Sequence, residues 1–98
     1  MTTLSGEKIQ NLLWTEGLDF QYATTPEGYE AIHIACGSYS IRLEHLWPEV
    51  DGWILDVGDV VLTHVSNETD TSIGVFYSSA SSEDELVQEI IEHYEKLS

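Results

Sequence analysis

The most apolar run of this chain is WILDVGDVVLTHV, which spans residues 53–65 and contains a break at Gly58-Asp59. Before the break, every second side chain is large and apolar, a pattern typical of a β-strand with one buried face. A Gly-Asp pair can turn the chain, so the run predicts the central β-hairpin of a sheet. One long strand with a bulge at Gly58 is the alternative. The core positions predicted within this run are Trp53, Leu55, Val57, Val60 and Leu62.

Short alternating segments on both sides of this run predict further strands, at residues 18–23, 29–36, 39–46 and 73–79. The segment 25–28 is a predicted turn, and Gly37-Ser38 predicts a two-residue hairpin turn. In the last strand, alternation puts Ile73, Val75 and Tyr77 on one face. Because the connections are short, neighbouring strands are expected to run antiparallel.

Two helices bracket the strands. Ser5 can cap a helix over residues 6–16 that ends before Gly17. Ser82 and Glu85 match a capping box at the start of a second helix. That helix carries an apolar stripe, which predicts packing on the sheet. The stripe consists of Leu86, Val87, Ile90, Ile91, Tyr94 and Leu97.

These elements predict one α+β domain over residues 1–98. Its architecture is a five- to six-stranded, mainly antiparallel meander sheet flanked by an N-terminal and a C-terminal helix. The single cysteine, Cys36, excludes an internal disulfide framework and suits a reducing compartment. The chain has no apolar run of the roughly 18 residues that a membrane span needs, and its start does not resemble a signal peptide. We therefore expect a cytoplasmic protein, in the host cytoplasm if a phage encodes it.

Charge is the most unusual property of the sequence. Eighteen Asp and Glu face three Lys and Arg, which gives a net charge of −15. Most of these carboxylates must lie in water, where they repel one another and destabilise the compact state. Direct binding to nucleic acid and to anionic membranes is disfavoured, because both surfaces are negative. Solubility, adaptation to high salt and a strongly basic partner are the three explanations to separate.

Catalysis and metal binding have weak support in the sequence. The four histidines lack the close spacing of a metal site and are better read as isolated surface or edge residues. Acid pairs such as Asp56 and Asp59 occur by chance in so acidic a chain, and a small meander offers little room for a catalytic pocket. We expect no enzymatic activity, no cofactor and no metal.

The acids as a set predict a binding surface for a basic protein. Rows of carboxylates on strands and helices resemble the charge pattern of a nucleic-acid backbone, and an exposed Trp47 could anchor the contact. The first hypothesis is an inhibitor of phage or mobile-element type that mimics nucleic acid. It would block the groove of a nuclease, a restriction or CRISPR effector, or a repair glycosylase. The alternative is an acidic partner protein that is not a mimic, such as a toxin immunity protein or a secretion chaperone. The predicted contacts are Glu49, Asp51, Asp56, Asp59, Glu85, Glu89, Glu92 and Trp47.

We expect either a monomer or a homodimer. A long exposed edge strand, if the fold has one, could pair two copies.

Overall fold

The computed structural model describes residues 2–24, 30–50 and 52–98, so the predicted turn at 25–28 and Asp51 lie outside the described residues. The described residues form two helices and eight strands. These elements are β1 (Thr3–Ser5), α1 (Gly6–Thr15), β2 (Phe20–Thr24), β3 (Glu30–Cys36), β4 (Tyr39–Glu44), β5 (Trp47–Glu49), β6 (Gly52–Asp56), β7 (Val61–Ser66), β8 (Thr71–Tyr77) and α2 (Glu83–Leu97).

The strands form two antiparallel sheets, which confirms the α+β class with a helix towards each end of the chain. A five-stranded sheet has the order β2-β3-β4-β7-β8, and a three-stranded sheet has the order β1-β6-β5. The larger sheet follows chain order apart from the excursion of β5 and β6 between β4 and β7. The meander was therefore predicted, whereas its interruption by a second sheet was not.

The predicted central hairpin over residues 53–65 is wrong, and so is the single bulged strand. Its first half is β6 in the small sheet, and its second half is β7 in the large sheet. The chain does turn at Gly58, which has a φ of +94°. The reason for the error is that alternation identifies a strand with a buried face without identifying its partner. Here β6 pairs with β1 and β5, and β7 pairs with β4 and β8.

A hydrogen bond joins the two points where the chain leaves and re-enters the large sheet. After β4 the chain leaves through His45, whose φ of +67° turns the backbone sharply. The Nδ1 atom of His45 lies 2.8 Å from the carbonyl oxygen of Asp59, just before β7. This contact closes the excursion that carries β5 and β6.

The core lies between one face of the large sheet and the layer formed by the helices and the small sheet. Cross-strand pairs such as Ile34–Ile41 and Leu43–Leu62 share that face and are fully buried. From the other layer, α2 contributes Leu86 and Ile90. The predicted core positions are confirmed: Trp53, Leu55, Val60 and Leu62 are buried, and Val57 packs partly against them.

The helix ends also follow the prediction. The Oγ atom of Ser5 accepts a hydrogen bond from the backbone N–H of Lys8, and Gly17 follows the helix with a φ of +76°. The Oγ atom of Ser82 accepts from the N–H of Glu85 at 3.2 Å. In the described part of the chain, neither helix is long and apolar enough to cross a membrane.

Candidate partner-binding surface

The outer side of the three-stranded sheet brings three of the predicted contact residues together. Leu4, Trp53 and Leu55 point into the core, so their neighbours along each strand point outward. The strand register pairs Trp47 with Ile54 and Ile54 with Ser5. We call this outward surface the Trp47 face. It consists of Thr3, Ser5, Trp47, Glu49, Gly52, Ile54 and Asp56.

Trp47 is the large aromatic side chain of the Trp47 face, and 55% of it is exposed. The half-buried Ile54 lies directly opposite it in the register. Val50, in the connection between β5 and β6, is 96% exposed. Partly exposed Trp residues are common anchors of protein interfaces, since they bury much apolar area at low entropic cost. Exposed Trp47 and Val50 therefore indicate a surface that could bind another protein.

A shallow depression of about 260 Å³ adjoins these residues. Two carboxylates, those of Glu7 and Glu49, contribute to its wall. The complete lining is Ser5, Glu7, Glu49, Val50, Gly52, Trp53 and Ile54. A lining that combines apolar and acidic residues suits a cationic side chain, whose methylene stem packs on apolar groups while its charged end meets carboxylates.

Few cations are available to neutralise this surface from within the chain. Lys8 lies 3.7 Å from both Glu83 and Asp84. Arg42 Nε lies 3.1 Å from Glu44 Oε1, an ion pair without the alignment of a hydrogen bond. Among the described residues these are the ion pairs, so none reaches Glu7, Glu49 or Asp56. The negative potential of the Trp47 face is therefore uncompensated by salt bridges in that part of the chain.

The predicted contacts around β6 differ in their placement. Asp59 is exposed in the loop that follows β6, close to Gly58. Asp56, at the end of β6, is only half-buried, so its place on an outer face is compatible with partner binding. Asp51 lies outside the described residues. The structure therefore groups Trp47, Glu49 and Asp56 and adds Glu7, which the sequence did not single out.

The three predicted acids of α2 differ from one another. The Oε2 atom of Glu85 accepts from the backbone N–H of Ser81 at 3.0 Å, and Glu89 Oε2 accepts from the Ser78 hydroxyl at 2.5 Å. These contacts hold the segment before α2 against the helix. Glu92, in contrast, is exposed one to two turns further along. Two of the three acids therefore have structural roles that an acidic helix face alone did not predict.

The opposite side of the molecule carries a polar row that sequence reasoning missed. The helices lie on the other face, so the open face of the large sheet carries a register row that includes Gln21, His33, Arg42 and Thr63, of which Gln21 is exposed and Thr63 is buried. The Thr63 hydroxyl donates to Glu44 Oε2 at 2.8 Å. A depression of about 400 Å³ adjoins the row, lined by Asp19, Phe20, Gln21, His33, Ala35, Ser40 and Asn67. Period-two alternation could have placed His33 and Arg42 on one face, but only the register makes them neighbours.

The histidines correct a second expectation, because two of them form a pair. Nε2 of His64 lies 2.8 Å from Nδ1 of His93, and Phe76 packs against both rings. Burial lowers the pKa of both imidazoles, and Lys96 lowers the pKa of each further. His33 is separate: burial and then Arg42 lower its pKa. Within the described residues, no cluster of three or more His, Cys, Asp or Glu side chains is placed to hold a metal ion.

Comparison with protein-family models, with curated proteins and with solved structures finds no match for this chain.

Proposed function

We propose that this protein is a non-enzymatic inhibitor that mimics nucleic acid and binds the basic groove of a nucleic-acid-binding enzyme. The target class is a nuclease, a restriction or CRISPR effector, or a repair glycosylase, and the setting is the cytoplasm of a cell that carries a phage or mobile element. One observation supports the proposal: Trp47, Glu49 and Asp56 share one outer face of the three-stranded sheet, and no salt bridge among the described residues reaches the two acids.

Electrostatic attraction would act on a basic partner at long range. A groove that binds a phosphate backbone is lined with Lys and Arg, and a chain with a net charge of −15 is drawn towards it. Side chains at alternate positions of one strand, such as Trp47 and Glu49, are roughly 7 Å apart. The two carboxylates are further apart, because Glu49 pairs with Gly52, four residues before Asp56 on β6, so each can meet a separate cation of the groove. The attraction would raise the association rate and would weaken as salt is added.

Trp47 gives the contact its short-range affinity. A carboxylate surface alone would bind any basic protein, whereas a buried indole requires a matching pocket. We expect Trp47→Ala to weaken binding by about 2 kcal/mol or more, the usual loss at an aromatic interface anchor. Replacing an exposed Trp on another element, as in Trp14→Ala on α1, should leave binding unchanged.

Capture followed by competition tests the proposal. The immobilised protein is exposed to lysate of the cell that carries the gene, and bound proteins are eluted with duplex DNA or single-stranded RNA at constant ionic strength. The proposal expects a nucleic-acid-binding enzyme that nucleic acid displaces. It expects the double variant Glu49→Gln/Asp56→Asn to lose most of the capture. Glu16→Gln/Asp19→Asn is the matched control, because it removes the same two charges from exposed positions outside the Trp47 face.

A second candidate function is an acidic partner protein that is not a mimic, such as a toxin immunity protein or a secretion chaperone. The exposure of Trp47 and Val50 favours it, since an apolar anchor serves any protein interface. The competition experiment separates the two candidates. A captured toxin or effector that nucleic acid fails to displace supports the second candidate and overturns mimicry. If the double variant and its control capture equally, the Trp47 face is not the binding surface.

A further inference from the structure

Strand β8 is the last strand of the five-stranded sheet, and no other strand of the described residues pairs with its outer side. Each of its seven residues except Gly74 is exposed. The N–H of Ser78 donates to the carbonyl oxygen of Val60 at 2.9 Å. This bond shows which residues of β8 direct their backbone groups towards β7. In an antiparallel ladder, the backbone groups of Val75 and Tyr77 therefore point away from β7. They form an open edge that can accept another strand.

This edge is apolar and uncharged. Ile73, Val75 and Tyr77 expose 54%, 52% and 82% of their surface on the open face of the sheet, and Phe76 is exposed on the other. Residues 71–82 contain no Asp, Glu, Lys or Arg, and they form the longest uncharged stretch of the sequence. Soluble proteins usually protect a long edge strand with Lys, Pro or a bulge. In β8 the register irregularity lies at Ile73, because Gly74 pairs with His64 and Ser72 pairs with Val65.

We propose that β8 pairs with β8 of a second copy of this chain, antiparallel about a two-fold axis at Val75. The pairing joins two five-stranded sheets into one continuous sheet. In this register Val75 faces Val75 of the other copy, Ile73 faces Tyr77, and Gly74 faces Phe76. The first two are favourable cross-strand combinations, β-branched with β-branched and β-branched with aromatic, whereas Gly74 is already covered by Phe76 of its own chain. A two-fold interface requires this kind of self-complementarity.

The distribution of charge along β8 permits a second copy here. Asp70, the nearest acid before β8, lies five positions from the axis. Antiparallel pairing separates the two Asp70 residues by ten residue spacings, roughly 33 Å, well beyond the screening length of about 8 Å. The acids of α2, including Glu89 and Glu92 beside the His93 that contacts Phe76, lie closer to the seam. Their mutual repulsion makes the dimer tighter as salt is added.

The area of the contact predicts a weak dimer. Four partly exposed side chains, two of them aromatic, offer on the order of 400 Å² per copy. A standard interface buries about 800 Å² per partner. The association should therefore be reversible and depend on protein concentration. It is independent of the proposed function, because β8 and the Trp47 face lie in different sheets.

Sedimentation velocity across a concentration series at low and high salt tests this pairing. The expected result is a monomer–dimer equilibrium that strengthens with salt. Val75→Lys places two ammonium groups opposite each other on the axis and should weaken association at least tenfold. Val50→Lys is the matched control, since it makes the same substitution at an exposed valine outside β8. Tyr77→Glu, at the most exposed of the large apolar side chains of β8, is a second disrupting variant should Val75→Lys fold poorly, as judged by circular dichroism.

Covalent trapping tests the register. With Val75→Cys, added oxidised glutathione should convert two thiols to an intermolecular disulfide while the glutathione disulfide is reduced. Val50→Cys should give little of this product. The pairing is overturned if the protein stays monomeric at every concentration in high salt, if the dimer tightens as salt is removed, or if both cysteine variants cross-link equally.

Discussion

At the scale of single residues, Gly6 shows how closely helix α1 approaches strand β6 of the small sheet. A β-carbon built on Gly6 would lie 2.6 Å from Cε2 of Trp53 and would also overlap the carbonyl oxygen of that residue. Trp53 is buried and packs edge-to-face with Tyr22 at a centroid distance of 6.5 Å. The first turn of α1 therefore rests directly on the indole, which only glycine allows.

Replacing Gly6 by alanine should destabilise the protein. Alanine favours the helical backbone by about 1 kcal/mol, but overpacking against Trp53 should outweigh this gain, with a net loss of about 2 kcal/mol in the free energy of unfolding. Urea denaturation measures the loss. Asn11→Ala, at an exposed position of the same helix, is the control and should change stability by at most about 0.5 kcal/mol. A Gly6→Ala variant as stable as the wild type would show that α1 and β6 are not packed this closely.

The paired histidines predict that stability falls on mild acidification. Burial lowers the pKa of both His64 and His93 below the ordinary value of 6.5. The unfolded chain therefore binds more protons than the folded chain as the pH falls through that value, so stability present above it is lost below it. The loss is at most about 1.4 kcal/mol per pH unit for each excess proton. Two imidazolium rings could not share the hydrogen bond at 2.8 Å.

Denaturation curves from about pH 7.5 to pH 5.5 check this expectation, with His93→Gln as the variant. The free energy of unfolding of the variant should depend less on pH. Its value at about pH 7.5 reports the packing that the substitution removes, because the imidazoles are neutral there. NMR titration of the imidazole signals measures the two pKa values directly. Unchanged stability of the wild type over this range would contradict the burial of the pair.

At the scale of elements, the sequence predicts the features that depend on neighbouring residues alone, such as helix ends and tight turns. Ser5 and Ser82 mark helix starts because a hydroxyl can accept from a free N–H, and Gly37, with a φ of +61°, marks the β3–β4 hairpin. The partner of β6 depends on distant packing against α1, which alternation alone does not encode. The sequence predicts Trp47, Glu49 and Asp56 as separate contact residues. Only the register of β5 with β6 shows that they share one face.

The cap of α2 offers a test at this scale. Ser82 Oγ accepts from the N–H of Glu85, while the Glu85 carboxylate reaches the N–H of Ser81, one residue earlier than in an ordinary capping box. Ser82→Ala should therefore lower the free energy of unfolding by about 1 kcal/mol, as measured in urea. Ser79→Ala, at an exposed position outside the helix, should have no measurable effect. Equal stability of both variants would contradict the role of Ser82 as the cap.

At the scale of the whole molecule, charge and apolar exposure are segregated. The three-stranded sheet presents acids around Trp47, whereas the far edge of the five-stranded sheet presents β8 within an uncharged segment. Added salt should act on these surfaces in opposite directions, since it screens attraction to a basic partner and repulsion between two copies. A chain whose acidity served only solubility or adaptation to high salt would need neither an exposed Trp47 nor an open β8 edge.

The most direct test of the Trp47 face as a nucleic-acid mimic is the dissociation constant of the captured partner complex as a function of salt. Log Kd should rise linearly with log salt, and Glu49→Gln/Asp56→Asn should flatten the slope by about two ion equivalents. Glu16→Gln/Asp19→Asn should retain the wild-type slope, and duplex DNA or single-stranded RNA should compete with the protein. A Kd independent of salt, or a complex that nucleic acid leaves intact, would contradict mimicry.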